Sequence, residues 1–488
     1  MNFLDRKTIP PCVFVAIVTA SLFGINTSQA ASDDNGPNFL FVIADDCTFR
    51  DIGCYGGQAI TPNIDGLAHQ GMRFTQCFQA APMCSPTRHT IYTGLYPVKS
   101  GAYPNHTFVK NGTKSIVHYL KPLGYRIHLS GKTHVAPKEA FPFEYSGEKN
   151  NPDFEAIDEL MAESKRDNSP FCLFACSNEP HSPWNKGDSS QYDSSTITLP
   201  PYFVDTQETR NNMVDYLAEV TYFDWQVGEL LTLLDKHGMA ENTMVVVVSE
   251  QGSSFPFGKW TCYDTGLQSA CIVRWPNKIK GKSVTDALVE YVDIAPTLID
   301  AAGGMPVDAI DGESFVPVLI GESTTHKDFV FGEMTTRGIN KGSPYFGIRS
   351  VRSDKYKYIV NFTPHVTFQN ACTNSKIFAS WCEKALAGDA TAAEKVYRYE
   401  NRPAEEFYAI DKDPYEWTNL ANDPQYAQRK AELKEELSRW MEECDDRGQQ
   451  TELEALEHQG RGRKSKDTLQ GKNTRSSFKR DRRAKSNK

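Results

Sequence analysis

The sequence predicts an α/β fold: a large, mostly parallel sheet sandwiched by helices, followed by a smaller α+β subdomain of antiparallel sheet plus helix. Three observations carry this. The apolar runs NFLFVIADD (38–46), PFCLFACSN (170–178) and TMVVVVSEQG (243–252) each end in polar residues. Helical patterns lie between them, such as 213–238 with its closing glycine, and such alternation builds a parallel sheet. From about residue 340 the character changes to short alternating segments such as SVRSDKYKYIVNF (350–362), which read as antiparallel strands.

In chain order, the N-terminus comes first. Arg6 and Lys7 precede a fourteen-residue apolar run (12–25), and Ser28-Gln29-Ala30 supplies a small–x–small cleavage pattern. The run is short for a bilayer span, so residues 1–30 are expected to be a removed signal peptide and the protein exported, periplasmic or secreted. Residues 36–340 form the expected catalytic domain and 341–455 the smaller subdomain, which closes on a charged helix at 426–444. From 456 to 488 the chain is polar and aperiodic, and disorder is expected.

Charge divides the chain unevenly. Residues 461–488 hold twelve Lys/Arg against two Asp/Glu, a balance of +10, which leaves −19 for the other 460 residues of a chain whose net charge is −9. The basic tail is a solvated segment or one that contacts an anionic polymer or surface. No nucleic-acid partner is expected. Twelve cysteines in an exported chain invite disulfides, and removal of Cys12 leaves an odd eleven. Parity marks Cys84 for another fate; the pairing of the other ten is not readable from sequence.

Asp45 and Asp46 end the first strand, and an Asp-Asp pair alone is commonplace in turns. Glu250 and Gln251 ending a second strand change that reading, because carboxylates plus an amide oxygen make an all-oxygen set suited to Ca²⁺ or Mg²⁺ rather than zinc. Lys132 and His134 sit two apart in GKTH and share a face if extended. His181 and Lys259 occupy loops after strand-like runs. With Arg88 they form a cationic shell fit to bind and split a multiply oxygenated anion, and either histidine is a proton donor or base. Phosphate and sulfate esters both fit. Cys84, in APMCSPTRHT, stands before a proline able to open a helix, which places it near a positive helix end. A thiol is a poor match for a hard cation. C-x-P-x-R arises by chance in on the order of a few per cent of chains this long.

These residues resemble the type I, formylglycine-dependent sulfatases of the alkaline phosphatase-like superfamily. The likeness runs from FLFVIADD through CSPTRHTIYTG, GYRIHLSGKTH, PHSP and DKDPYEWTNLANDP. The resemblance implies that Cys84 is oxidised to formylglycine by a separate generating enzyme that reads Cys-x-Pro-x-Arg, with Thr87 where many members have serine. It implies further that the hydrated residue attacks sulfur, with Asp45, Asp46, residue 84, Glu250 and Gln251 around the cation. Arg88 and Lys132 would hold the diol and sulfate oxygens. His181, with Lys259 nearby, would protonate the leaving oxygen, and His134 would take the proton that releases sulfate. One departure stands out: relatives read Ser-Asp-His-Gly or Ser-Asp-Asn-Gly where this chain has Ser249-Glu250-Gln251-Gly252. Both side chains are one methylene longer and keep their donor groups, which flexible calcium coordination accommodates. Locally, GKTHVAPKEAFPF and SEQGSSFPFGKW look most like heparan N-sulfatases. The implied substrate is a sulfated glycan or sugar, O-sulfate or N-sulfate. The rival readings are a phosphodiesterase or phosphatase of the same superfamily, and an inactive protein that binds sulfated glycan.

Overall fold

The computed structural model describes residues 36–147 and 150–459. The expected signal peptide and all but the first four residues of the expected disordered tail lie outside them. Strands β1 (Asn38–Asp45), β2 (Met72–Phe78), β3 (Arg126–Gly131), β4 (Glu144–Tyr145), β5 (Phe171–Cys176), β6 (Thr243–Glu250), β7 (Gln268–Arg274), β8 (Ser283–Thr285) and β9 (Val289–Glu290) form one sheet. Its order is β4-β3-β5-β1-β6-β7-β2-β8, with β9 also on β2. The β4-to-β6 half is parallel, whereas β7 runs antiparallel to both β6 and β2. The three apolar runs are the three adjacent strands β5, β1 and β6. Buried on both faces, they carry no polar alternation.

Each face of β1 has its own core. Leu40, Val42 and Ala44 pack with Leu217, Val220, Phe223 and Leu230 of the helix Gln207–His237. Phe39, Phe41 and Ile43 pack with Ile91 and Tyr92 of the helix Cys84–Thr93 and Leu298 of the helix Ile294–Ala301. The long helix starts where the Thr206 side chain accepts from the Thr209 N–H and stops at Gly238 in left-handed backbone. Leu217 is fully buried on its inner stripe. Leu217→Ala is expected to cost about 2–5 kcal/mol, with a lower denaturant midpoint and unchanged slope in urea unfolding.

A second, antiparallel sheet follows: β10 (Val330–Thr335), β11 (Gly347–Arg352), β12 (Tyr356–Asn361) and β13 (Glu405–Ala409), in that order. Helix Ala427–Glu443 covers it through Leu433, Leu437 and Trp440, the last stacked on Phe331 with ring centres 4.9 Å apart. Buried Asp264, just before β7, accepts from Arg352 (3.0 Å) and Lys357 (2.8 Å) and so ties the second sheet to the first. Burial alone would raise the Asp264 pKa, but the two cations hold it below the usual carboxylate range.

Two expectations need correction. All eleven described cysteines are free thiols, nine of them buried. The ten others belong to the hydrophobic cores or pack against them as small apolar groups, so the odd count does not single out Cys84. The chain also stays ordered past residue 456: Ala455–His458 is a 3-10 turn, and Gln459 bridges to Thr107. The turn is held by packing on the main body, a partner that local composition does not reveal.

Candidate active site

Strand register builds the site. Asp45 sits opposite Glu250 across the β1–β6 pair, and both Ile43 and Gly131 are level with Cys176. The carboxyl ends of β3, β5, β1 and β6 are therefore flush, and a crevice there collects whatever follows each strand. Asp46 and Gln251 leave their strands with φ of 62° and 36°, and His134 follows β3 with φ of 49°. Non-glycine residues in this region carry strain that the surrounding structure must hold in place. Gly131 has φ of 95°, and a Cβ there would overlap the Cys176 carbonyl oxygen. Only glycine lets the chain turn toward Lys132 at that point.

Cys84 is the first residue of a fully buried helix, with Met83 extended before it and Pro86 in its first turn. Its sulfur thus meets the positive helix end. One Asp45 oxygen, one Glu250 oxygen and the Cys84 sulfur lie within 4.8 Å of one another, all buried. Both Glu250 carboxylate oxygens and the Gln251 amide oxygen lack hydrogen-bond partners. Arg88 Nη2 lies 2.5 Å from Glu250 Oε2 as a charge contact without hydrogen-bond alignment, while its Nη1 donates to the Lys132 carbonyl at 2.9 Å. Buried carboxylate oxygens left without donors fit a hard cation, which would satisfy them.

The two aspartates divide their work. Asp45 bonds Lys132 Nζ and stands 4.0 Å from Arg88 Nη2. Asp46 instead accepts from Lys259 Nζ (2.6 and 2.8 Å to its two oxygens), Ser254 Oγ (2.7 Å) and Gln251 Nε2 (2.7 Å). Gln251 therefore presents its N–H₂ to the carboxylates. Turning the amide over exchanges its oxygen for its nitrogen and would offer a ligand to a cation. Lys259 Nζ also lies 3.9 Å from Cys84 Sγ and 4.6 Å from the Trp260 ring centre.

Electrostatics follow from burial and pairing. Burial alone would raise the Asp46 pKa, but the Lys259 and His181 charges hold it below the usual range. Burial raises Glu250 despite Arg88 and Lys132. It also pushes the Cys84 thiol up to about 11, against the pull of Lys259, so the unmodified thiol is protonated at neutral pH. Lys259, which burial would depress, is pushed up to about 12 by Asp46; burial brings Lys132 down to about 8. Three cations, Arg88, Lys132 and Lys259, meet three carboxylates. A bound divalent ion would leave the centre net positive, which suits an anionic substrate.

Above this floor opens a cleft of about 910 Å³, large enough for a sugar ring with its substituents. Cys84, Lys132, His134, His181 and Lys259 line it. His181 Nδ1 is 2.7 Å from the Ser182 carbonyl, so the neutral ring donates there and turns a bare Nε2 toward Asp46 Oδ2, 3.6 Å away. The Asp46 charge favours protonation of His181, but burial, Lys259 and Lys132 outweigh it and bring the pKa to about 4. Sequence reasoning passed over His106. Its Nδ1 lies 2.9 Å from His134 Nε2, and both rings line the cleft. A single histidine in PNHT carries no pattern that would have marked it. Ser254 and Trp260 were missed for the same reason.

The sulfatase family profile matches residues 37–305, more than half of the chain. The chain belongs to the sulfatase family. A second profile, N-sulphoglucosamine sulphohydrolase, C-terminal, matches residues 252–370. An ulvan-active sulfatase of Formosa agariphila is 32% identical over 86% of this sulfatase and 82% of its own length. Human N-sulphoglucosamine sulphohydrolase is 26% identical over 84% and 90%. Among solved structures, one determined with its substrate D-glucosamine-2-N,6-O-disulfate superposes with a TM-score of 0.64 at 19% identity, covering 85% of this chain and 99% of that one. A 2-O glycosaminoglycan sulfatase superposes at 0.62 with 21% identity, over 84% and 93%. These likenesses agree with the mostly parallel sheet, its covering helices and the separate antiparallel sheet.

Proposed function

We propose that this sulfatase removes sulfate from a sulfated carbohydrate, an O-sulfate ester or an N-sulfoglucosamine, using residue 84 as formylglycine and a divalent cation. The observation that carries the reading is Cys84 itself, at a buried helix N-terminus between Asp45, Glu250 and Lys259 on the floor of the cleft. Its sulfur stands where the formyl oxygen would be. When formed and hydrated, formylglycine supplies an oxygen nucleophile that a buried thiol with its pKa near 11 does not. Asp45 and Glu250 would hold Ca²⁺ or Mg²⁺, with Asp46 and a turned Gln251 completing the set, and the ion would supply Lewis-acid polarisation of sulfate oxygens.

This chain's own groups do the rest. Lys259, charged and fixed by Asp46, faces the sulfur position of Cys84 and stabilises charge that grows on the sulfate oxygens. Lys132, held by Asp45, lines the cleft as a second cation. Arg88 stays on the Glu250 carboxylate and orients it. An arriving sulfate brings negative charge beside His181 and raises its proton affinity. Nε2 would thereby load the proton that the leaving oxygen or nitrogen needs. His134, with Nε2 tied to His106, is placed to accept a proton during sulfate release.

The match of residues 252–370 to the N-sulphoglucosamine sulphohydrolase C-terminal profile favours an N-sulfated glucosamine within this class. The test is sulfate release from N-sulfoglucosamine, glucosamine 6-sulfate and sulfated polysaccharides, beside aryl phosphate esters. Activity is expected on one of the sulfated sugars, lost in EDTA and recovered with Ca²⁺ or Mg²⁺. Phosphate release exceeding sulfate release would move the protein to the phosphodiesterase reading. Export, supported by the leader pattern in residues 1–30, is proposed as well; N-terminal sequencing of the mature protein should begin at Ala31.

A further inference from the structure

We infer that Glu219, buried on the long helix Gln207–His237, is the positioning residue for His181: it holds the loop that carries the proton donor in place beside the cleft floor. The inference rests on the proposed role of His181 in protonating the leaving atom. It adds the source of the precision that this role requires.

The loop needs a holder. His181 stands in the segment 179–187, where Ser182, Pro183, Asn185 and Lys186 are exposed. Solvent on that side contributes no packing, so the His181 ring is placed only as well as the backbone beneath it is bonded. The entry is fixed at the sheet: Asp45 N–H donates to the Glu179 carbonyl and His181 N–H to the Asn178 carbonyl, both at 3.0 Å. The exit is fixed by Glu219, whose Oε1 accepts from Asn185 N–H and from Lys186 N–H, the latter at 2.5 Å. Lys186 Nζ then reaches back to Glu179 Oε1, which Asn151 Nδ2 also bonds at 2.9 Å. Two buried carboxylates thus hold the two ends of the loop, and a lysine from one end bonds the acid at the other.

A carboxylate is a costly anchor here. Glu219 is fully buried, and its Oε2 has no hydrogen-bond partner. Burial raises its pKa, the backbone donors oppose that rise and the charge of Glu179 adds to it. An uncharged cap would cost less. What the carboxylate provides is stiffness, because charge-assisted bonds to two successive N–H groups are short and directional. The contact is also close: a Cβ on Gly187 would overlap the Ala218 carbonyl oxygen, so the loop lies against the helix backbone itself. Trp184 carries the constraint to the histidine. Its Nε1 donates to the Pro180 carbonyl at 2.8 Å, which joins the residues on either side of His181. Its ring stacks on Phe255 with centres 5.1 Å apart and meets Tyr216, three positions before Glu219 on the same helix face. The bond from His181 Nδ1 to the Ser182 carbonyl then fixes the ring within this frame.

The experiment measures kcat and KM on a sulfated sugar that the enzyme desulfates and on an aryl sulfate, whose phenolate departs without a proton. Misplacing a proton donor slows the first substrate and spares the second. Glu219→Ala is expected to lower kcat on the sugar about 10–100-fold, with KM and the aryl sulfate kcat within about threefold. Glu219→Gln keeps an oxygen acceptor for the two N–H groups and should stay within about threefold of wild type on both substrates. Gly187→Ala leaves Glu219 in place and pushes the loop off the helix. It should reproduce the selective loss, and it decides the matter if Glu219→Ala does not fold. His181→Ala sets the scale, with a larger loss on the sugar alone. Wild-type kcat on the sugar in Glu219→Ala and Gly187→Ala, or equal losses on both substrates, overturns the inference while the His181 reading stands. Glu219→Gln as poor as Glu219→Ala overturns it too, since the effect would then be that of a charge. A His181→Ala variant without selective loss overturns the proton-donor reading, and the inference falls with it.

Discussion

Cys84→Ala is expected to abolish sulfate release, by a factor on the order of 10⁶, while leaving the fold intact. The size follows from what the side chain is placed to become. Asp45, Glu250 and Lys259 all converge on its sulfur, and no other nucleophilic side chain joins the buried Asp45–Glu250 cluster among the described residues. The cost in stability should be small, because a thiol replaced by a methyl group loses little buried area. Circular dichroism and the urea midpoint should stay near wild type as activity disappears. The companion measurement is the mass of the tryptic peptide holding residue 84 from the native host. Loss of sulfur and two hydrogens with gain of oxygen makes it about 18 Da lighter than the cysteine form. A fully active Cys84→Ala variant, or a peptide carrying only the thiol in an active enzyme, would overturn the mechanism.

Lys259→Ala is expected to lower kcat by about 10²–10³ with a smaller change in KM, as for removal of one fixed donor to a charge that develops in the transition state. Lys259 is 2% exposed, bonds both oxygens of Asp46 and faces Cys84. Its pKa, about 12 because Asp46 outweighs burial, keeps it charged through the working pH range, so it serves as an electrostatic group rather than a titrating acid. Removal also leaves Asp46 buried with less compensation, which costs about 3–5 kcal/mol of stability. Lys259→Met should show the same activity loss, since it keeps the stem and drops only the charge. Wild-type kcat in the methionine variant would show that the leaving group is served from elsewhere.

Much of the site was legible because its residues sit at strand ends or in a rare pattern. Asp45 and Glu250 follow unbroken β-branched or apolar runs, and a run of that kind has one direction and one end. The Cys84–Arg88 spacing is unusual enough to stand alone. The antiparallel placement of β7 was not legible, since pairing direction is chosen by partners distant in sequence. Nor was the absence of disulfides among the described residues: the same cysteine that could bridge in a loop is, in β5, an apolar filler of the core on one face of the sheet. His106 escaped because its meaning is another histidine twenty-eight positions away.

The order of apolar runs, the acids that end them and the cysteine in its proline–arginine setting are local facts; they were sufficient to reach the α/β fold and a site for a multiply oxygenated anion, and the family resemblance narrowed that anion to sulfate. Which aspartate meets Cys84 and Glu250 and which holds Lys259 is not local. Asp45 and Asp46 are neighbours of equal composition, and their roles separate only because β1 pairs with β6 in one register and the backbone then turns left-handed at Asp46. The same holds for Gln459, an ordinary residue in a polar stretch that becomes part of the cleft wall once the turn before it packs against Tyr103 and Thr107. Residue type decides what a side chain can do; long-range pairing, with energies no single segment contains, decides what it faces.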